Sequence, residues 1–243
     1  MPKRRGRLYP DSPEPGFFFI LRNMNKLVFC ASLCIALFLA ACDDGNSVTD
    51  SRDGRTYKTV TIGNQTWMAE NLNFETANSY CFNNDVSNCA KYGRLYTWAA
   101  AMDSAGTWST NGKGCGNDQR CSPKYPVRGV CPSGWHLPDS TEWNTLFSTV
   151  GGKSVAGGKL KSTSGWFKKG NGTDDYSFTG LPAGFCDDNG RFGYEVLLAR
   201  FWSSTEDFSY HAYFAYLGYD VDSTNVHYFY KNYRYSVRCV KDE

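Results

Sequence analysis

Hydrophobic and polar positions alternate with period two over Tyr57-Lys-Thr-Val-Thr-Ile62, pause at Gly63-Asn64 and resume at Gln65-Thr66-Trp67-Met68. That pattern predicts two strands joined by a tight turn. The period lengthens after residue 138. Asp139 or Ser140 can cap a helix, Glu142 sits in its first turn, Trp143, Leu146, Phe147 and Val150 share one face, and Gly151-Gly152 ends it. Trp98-Ala-Ala-Ala-Met102 predicts a shorter helix. Beyond residue 175 the apolar positions fall in short aromatic bursts: Tyr176–Phe178, Phe201–Trp202, Tyr213–Tyr219, Val226–Tyr230 and Tyr235–Val240. Each reads as a strand. Two short helices among many short antiparallel strands and long loops make an α+β domain. No repeat of fixed period is present.

A different pattern precedes the domain. Met24-Asn-Lys leads into an apolar run, Leu27 to Leu39, that ends in Ala40-Ala41-Cys42. A cationic start, an apolar stretch and small residues before a cut form an export signal. The run is short for a permanent membrane span of about 20 residues. Leu39-Ala40-Ala41-Cys42 matches a bacterial lipobox, whose cysteine receives lipid and becomes the first mature residue. Residues 1–23 are Arg-rich, with Pro10, Pro13 and Pro15 among their prolines, and read as an upstream extension, so that 24–41 is the signal. Residues 42–53 are the lipidated Cys42 and a polar tether, and 54–243 a single domain. The expected place is the bacterial cell envelope, exported and lipid-anchored, at the outer membrane or cell surface.

Composition narrows the partners. The chain is 41% hydrophobic and 16% aromatic, which is globular. Residues 1–41 hold six of the 26 basic side chains and two of the 24 acidic ones, so the remainder is slightly acidic. A protein that grips phosphate backbones keeps a basic excess, and nucleic acid is not an expected partner.

Ten cysteines occur; Cys30 and Cys34 lie in the apolar run and Cys42 is the lipid site. Seven remain, and export permits disulfides. Cys81/Cys89 and Cys115/Cys121 are close enough to staple local loops. Cys131/Cys239 would tie the start of the C-terminal half to its last strand, leaving Cys186 over. Pairing of Cys131 with Cys121 or Cys186 would change that assignment. No Cys-x-x-Cys pair is present and the three histidines are scattered, so zinc is not expected.

The remaining chemistry is sparse. His136 lies between Trp135 and Leu137, and alternation would point it outward. No Gly-x-Ser-x-Gly elbow, phosphate loop or His-Glu-x-x-His occurs. Gly112-Lys-Gly114-Cys-Gly116 lacks the helix a nucleotide loop needs. Asp220, Asp222 and Asn225 offer oxygens to calcium, but their spacing fits no EF-hand, and Asp187-Asp188-Asn189-Gly190 reads as a turn. No catalytic residue, metal or cofactor is assigned. The tyrosines of the C-terminal third are the most suggestive feature. Tyr213, Tyr216, Tyr219, Tyr228, Tyr230 and Tyr233 form a candidate binding surface, since flat rings with polar tips suit sugars and protein interfaces. Alternation would turn about half of these tyrosines to the core.

Several segments in order carry a resemblance. They are Asp53-Gly54 through Asn71-Leu72-Asn73, Cys89-x-Lys91-Tyr92-Gly93-Arg94-Leu95-Tyr96-Thr97-Trp98-Ala99, and Cys131-Pro132-x-Gly134-Trp135-His136-Leu137-Pro138 with Glu142-Trp143. Leu181-Pro182-Ala183-Gly184, Phe201-Trp202-Ser203-Ser204 and Ser236-Val237-Arg238-Cys239-Val240 complete the set. Together they resemble the Fibrobacter succinogenes major paralogous domain, a family typically exported and often lipid-anchored. Leu137-Pro138-x-x-x-Glu142-Trp143 and Arg238-Cys239-Val240 look like the sulfatase-modifying, formylglycine-generating domains, although that family's active cysteine pair has no counterpart here. The second resemblance implies a C-type-lectin-like fold whose last strand returns beside the middle of the chain, and a Cys131–Cys239 bridge. The function expected is a non-enzymatic envelope module that binds glycan or protein. The alternatives are a thiol-dependent or protein-modifying enzyme and a structural envelope component.

Overall fold

Strands β1 (Ser47–Thr49), β2 (Thr56–Ile62) and β3 (Gln65–Met68) open the fold. The computed structural model describes residues 46–243; the upstream extension, the signal and Cys42 lie outside the described residues. β2 and β3 pair with Ile62 opposite Gln65, the two-residue hairpin expected, with Gly63 at φ +64°. β1 departs from expectation. It pairs antiparallel with β2, Val48 opposite Tyr57, inside the segment read as tether. Asp50 is buried and takes Arg52 at 2.6 Å, while the Arg52 guanidinium lies 3.8 Å from the Phe74 ring centroid. Asp50 and Arg52 take each other as partners within the fold, so polarity along the sequence concealed a packed segment. The tether ends by residue 46.

The last strand closes this sheet. β13 (Val240–Lys241) pairs with β3 through Val240 and Trp67, and with β6 (Trp135–His136) through Val240 and His136. The order is β1-β2-β3-β13-β6. Cys131 and Cys239 are bonded alongside, with Cα atoms 6.0 Å apart. The return of the last strand to mid-chain is the closure expected of a C-type-lectin-like fold.

A second sheet carries the C-terminal aromatic strands. β9 (Leu198–Phe208), β10 (His211–Gly218) and β11 (Asn225–Tyr230) form a meander. It continues through β12 (Arg234–Ser236), β5 (Leu95–Thr97) and β4 (Ser79–Tyr80). A small hairpin of β7 (Phe185–Cys186) and β8 (Phe192–Gly193) joins at Arg234. Tyr176–Phe178 is a turn rather than a strand, with Ser177 at φ +54°. The expected Tyr235–Val240 strand breaks into β12 and β13, one in each sheet.

The described residues form four α-helices. α1 (Val86–Tyr92) and α4 (Lys153–Leu160) join the two expected, α2 (Trp98–Ala101) and α3 (Ser140–Thr149). Asp139 and Glu142 form a full capping box on α3, worth about 1 kcal/mol. Two aromatic cores follow. Trp67, Trp143, Phe178 and Phe201 pack between the helices and one face of the large sheet. Trp98, Trp202, Tyr96 and Tyr235 fill the other. Two of the buried indoles there donate to carbonyls: Trp98 Nε1 to Ser203 O and Trp202 Nε1 to Tyr96 O.

Among the described residues three disulfides join Cys81–Cys89, Cys115–Cys121 and Cys131–Cys239, and Cys186 is a buried free thiol. The pairing is the one the sequence suggested. No described helix is long and apolar enough to cross a membrane.

Candidate functional site

One end of the large sheet is edged with aromatic side chains. Tyr210, from the β9–β10 turn, lies 6.2 Å from Tyr230 at the end of β11, and Tyr230 lies 6.3 Å from Tyr233, with ring planes within 28° of parallel. Tyr233 continues to Phe185 at 5.9 Å, and Phe185 stacks on Tyr194 at 5.1 Å. Tyr210, Tyr230 and Tyr194 are exposed, and Tyr194 holds φ +62°, a conformation uncommon outside glycine. The row is contiguous and partly in water, with Tyr233 and Phe185 half-buried between the exposed rings.

Polar groups gather beside the row. A cleft of about 530 Å³ is lined by Tyr210, Tyr230 and Tyr233 with Asn117, Asp118, Asp188 and Asn232. The Cys115–Cys121 disulfide closes the loop carrying Asn117 and Asp118. Lys231 holds that loop down: its buried ammonium donates to the carbonyls of Gly116 and Gln119 and pairs with Glu206. Asp188 stands at the tip of the β7–β8 hairpin, where Asp187 and Arg191 form the expected turn. Asn232 Oδ1 is buried with no hydrogen-bond partner in the protein. Burial raises the Tyr233 phenol above its usual range, and Asp188 and Asp187 raise it further. The ring therefore stays neutral and able to donate at physiological pH.

The family model of the Fibrobacter succinogenes major domain matches residues 60–241. The chain belongs to that family. No curated protein and no solved structure matches it. Within this Fibrobacter major domain, the structure separates the tyrosines read as one surface. Tyr228, Tyr230 and Tyr233 reach the exposed edge, and Tyr213 packs edge-on to Tyr228 at 5.9 Å. Tyr216 turns to the partly covered sheet face, and Tyr219 lies elsewhere against Phe167 at 5.7 Å. The sequence reading missed the contributions of Tyr194, Phe185, Asn117 and Asp118; only the loop-closing cysteines hinted at the last two.

Other candidates of the major domain resolve differently. His136 does not point outward. It is buried between Glu142 (2.8 Å from Nε2) and Asp242 (2.7 Å from Nδ1). Asp220, Asp222 and Asn225 lie in or beside the β10–β11 connection. Asn225 Oδ1 accepts from Lys153 and Asp222 faces Lys161 at 3.8 Å, so cationic side chains already take those oxygens. Among the described residues no group of three His, Cys, Asp or Glu side chains is placed to hold a metal. Cys186 is buried with Arg234 Nη1 3.2 Å from its sulfur; burial pushes the thiol up and Arg234 only partly offsets it.

Proposed function

We propose that this chain is a lipid-anchored module of the cell envelope that binds glycan, without enzymatic activity, at the Tyr210–Tyr230–Tyr233 cleft. The observation that carries the reading is the juxtaposition of an exposed aromatic row with Asp118, Asp188, Asn117 and Asn232 around one cleft. Sugars present apolar C–H faces beside rings of hydroxyls. Aromatic planes take the former, while carboxylates and amides take the latter. Asn232, one wall of the cleft, has a side-chain oxygen with no hydrogen-bond partner in the protein.

The anchor rests on Leu39-Ala40-Ala41-Cys42, and the location follows from it: exported and held at the outer membrane or cell surface. The thiol-dependent alternative would need Cys186 as its nucleophile. A buried thiol with a raised pKa carries little thiolate, which weighs toward binding.

The test is affinity electrophoresis and pull-down of the soluble chain from residue 43 on cellulose, on other plant polysaccharides and on isolated envelope components. Retention on at least one glycan, lost on replacing Tyr230 and Tyr233, is the expected result. Folded protein retained by no glycan rules the reading out.

A further inference from the structure

Arg200 lies on the sheet face that carries Phe214 and Phe229, against which Phe185 and Tyr233 of the aromatic row also pack, whereas Tyr230 lies on the opposite face. The register partner of Arg200 on β10 is Tyr216, while Trp202, two residues on, pairs with Phe214 and Phe214 with His227. The guanidinium carbon is 4.4 Å from the Phe185 ring centroid, 5.2 Å from Phe214, 5.3 Å from Tyr235 and 5.8 Å from Phe229. Tyr233 touches three of these rings, Phe185, Phe229 and Tyr235, at 5.9, 4.8 and 6.3 Å. Arg200 is therefore adjacent to the cleft, with Tyr233 between them.

Hydrogen bonding at Arg200 is incomplete. Its Nη1 donates to Tyr235 Oη at 3.0 Å, and that is its one hydrogen bond. Nε is buried without a partner, and no carboxylate forms an ion pair with Arg200 among the described residues. Arg52 Nη1 and Arg234 Nε are likewise buried without a partner, but the other buried cations hold a carboxylate or a carbonyl oxygen. Arg52 has Asp50, Lys231 has Glu206, and Arg238 donates to Asn71 and to backbone carbonyls. An arginine held in an aromatic bowl, half desolvated and with its Nε–Nη2 edge unbonded, lacks an anion of fork geometry. The local field agrees: Arg200 and Lys153 both push the exposed His227 imidazole toward its neutral form, after burial.

We propose that Arg200 is a carboxylate subsite, and that the glycan bound at the neighbouring cleft carries uronic acid residues. This rests on the glycan-binding reading above. One sugar ring lies against Tyr230 and Tyr233 with its hydroxyls toward Asn232 and Asp188. The carboxylate of a neighbouring residue reaches past Tyr233 to Arg200. The carboxylates of Asp118 and Asp188 stay on the far side of Tyr233, where hydroxyls meet them.

The experiment is affinity electrophoresis and calorimetry with polygalacturonate, its fully methyl-esterified form, a neutral polysaccharide and polyglutamate. The proteins are the wild type, Arg200→Gln and Arg200→Lys, each checked for folding by circular dichroism. The wild type should bind the free acid about tenfold or more tighter than the ester at low salt, the size expected of one charge-assisted hydrogen-bond pair. Arg200→Gln should lose that preference while keeping its affinity for the ester. Should Arg200→Gln not fold, Arg200→Lys serves, with the preference reduced and more salt-sensitive. Equal affinity for acid and ester overturns the subsite and leaves the glycan reading standing. A preference that survives Arg200→Gln also overturns it. Polyglutamate bound as tightly as polygalacturonate replaces the sugar by an acidic protein segment and overturns the proposal. Absence of binding to every polysaccharide removes the glycan reading itself.

Discussion

The Nδ1 atom of His136 lies 2.7 Å from Asp242 Oδ1, so an imidazole in the middle of the chain clamps the residue just beyond the last strand. Its other nitrogen meets Glu142 at 2.8 Å, and Glu142 also accepts from Asp139 N within the capping box of α3. One histidine joins strand β6, helix α3 and the C-terminal segment.

A pH dependence follows. Burial, the largest influence, pushes the His136 pKa down, but the hydrogen bonds and charges of Glu142 and Asp242 more than offset it, and the net direction is up. The stability this group contributes is fully present below the unfolded value, about 6.5. It is lost as pH rises through the raised folded value. His136→Ala should cost about 1–2 kcal/mol at pH 5.5 and less at pH 8.5. Urea unfolding of both proteins across that range is the check; a cost independent of pH would contradict it.

The Cys131–Cys239 bridge encloses 108 residues of sequence separation. Loop-closure entropy for a ring of that length gives about 4–5 kcal/mol. Replacing both cysteines by alanine should lower the denaturation midpoint by that order and keep the circular dichroism spectrum. Peptide mapping without reduction should yield a fragment joining the two residues.

Tyr230→Ala and Tyr233→Ala should each weaken glycan binding about tenfold, the loss expected of one aromatic platform. Tyr219→Ala is the control, because its ring packs on Phe167 away from the cleft. Equal loss from all three variants would show that general destabilisation, not contact, sets the affinity.

Cys42→Ser should abolish labelling by a clickable fatty acid in cells and release the chain from the membrane fraction. Labelling of the variant equal to that of the wild type would refute lipidation at this position.

The α+β class, the first hairpin, helix α3 and the Cys81–Cys89 and Cys115–Cys121 pairs were legible because each has a local signature: alternation, a capping box, a short cysteine spacing; the distant Cys131–Cys239 pair was legible through the family resemblance. Helix α4 was not. Gly151-Gly152 reads as a terminator, yet Gly152 is also the N-cap of the next helix. Gly157, within that helix, hid it further. A Cβ there would meet Asp222 O at 2.7 Å, so the glycine serves close packing against helix propensity. His136 misled through the opposite error: alternation sets a side chain's direction but is silent on a carboxylate arriving from residue 242. Arg200 is the least legible of all. Its meaning lies in what it lacks, and a missing ion pair leaves no mark on one sequence.

Strand β1 sets a length. If Cys42 carries lipid, four peptide units link it to Asn46, where the described body begins, and at about 3.5 Å per residue they span at most about 14 Å. That is less than the width of the folded body itself. With lipid on Cys42 and glycan as the ligand, both as proposed, the domain would be moored rather than tethered and would meet only polymer already close to the bilayer.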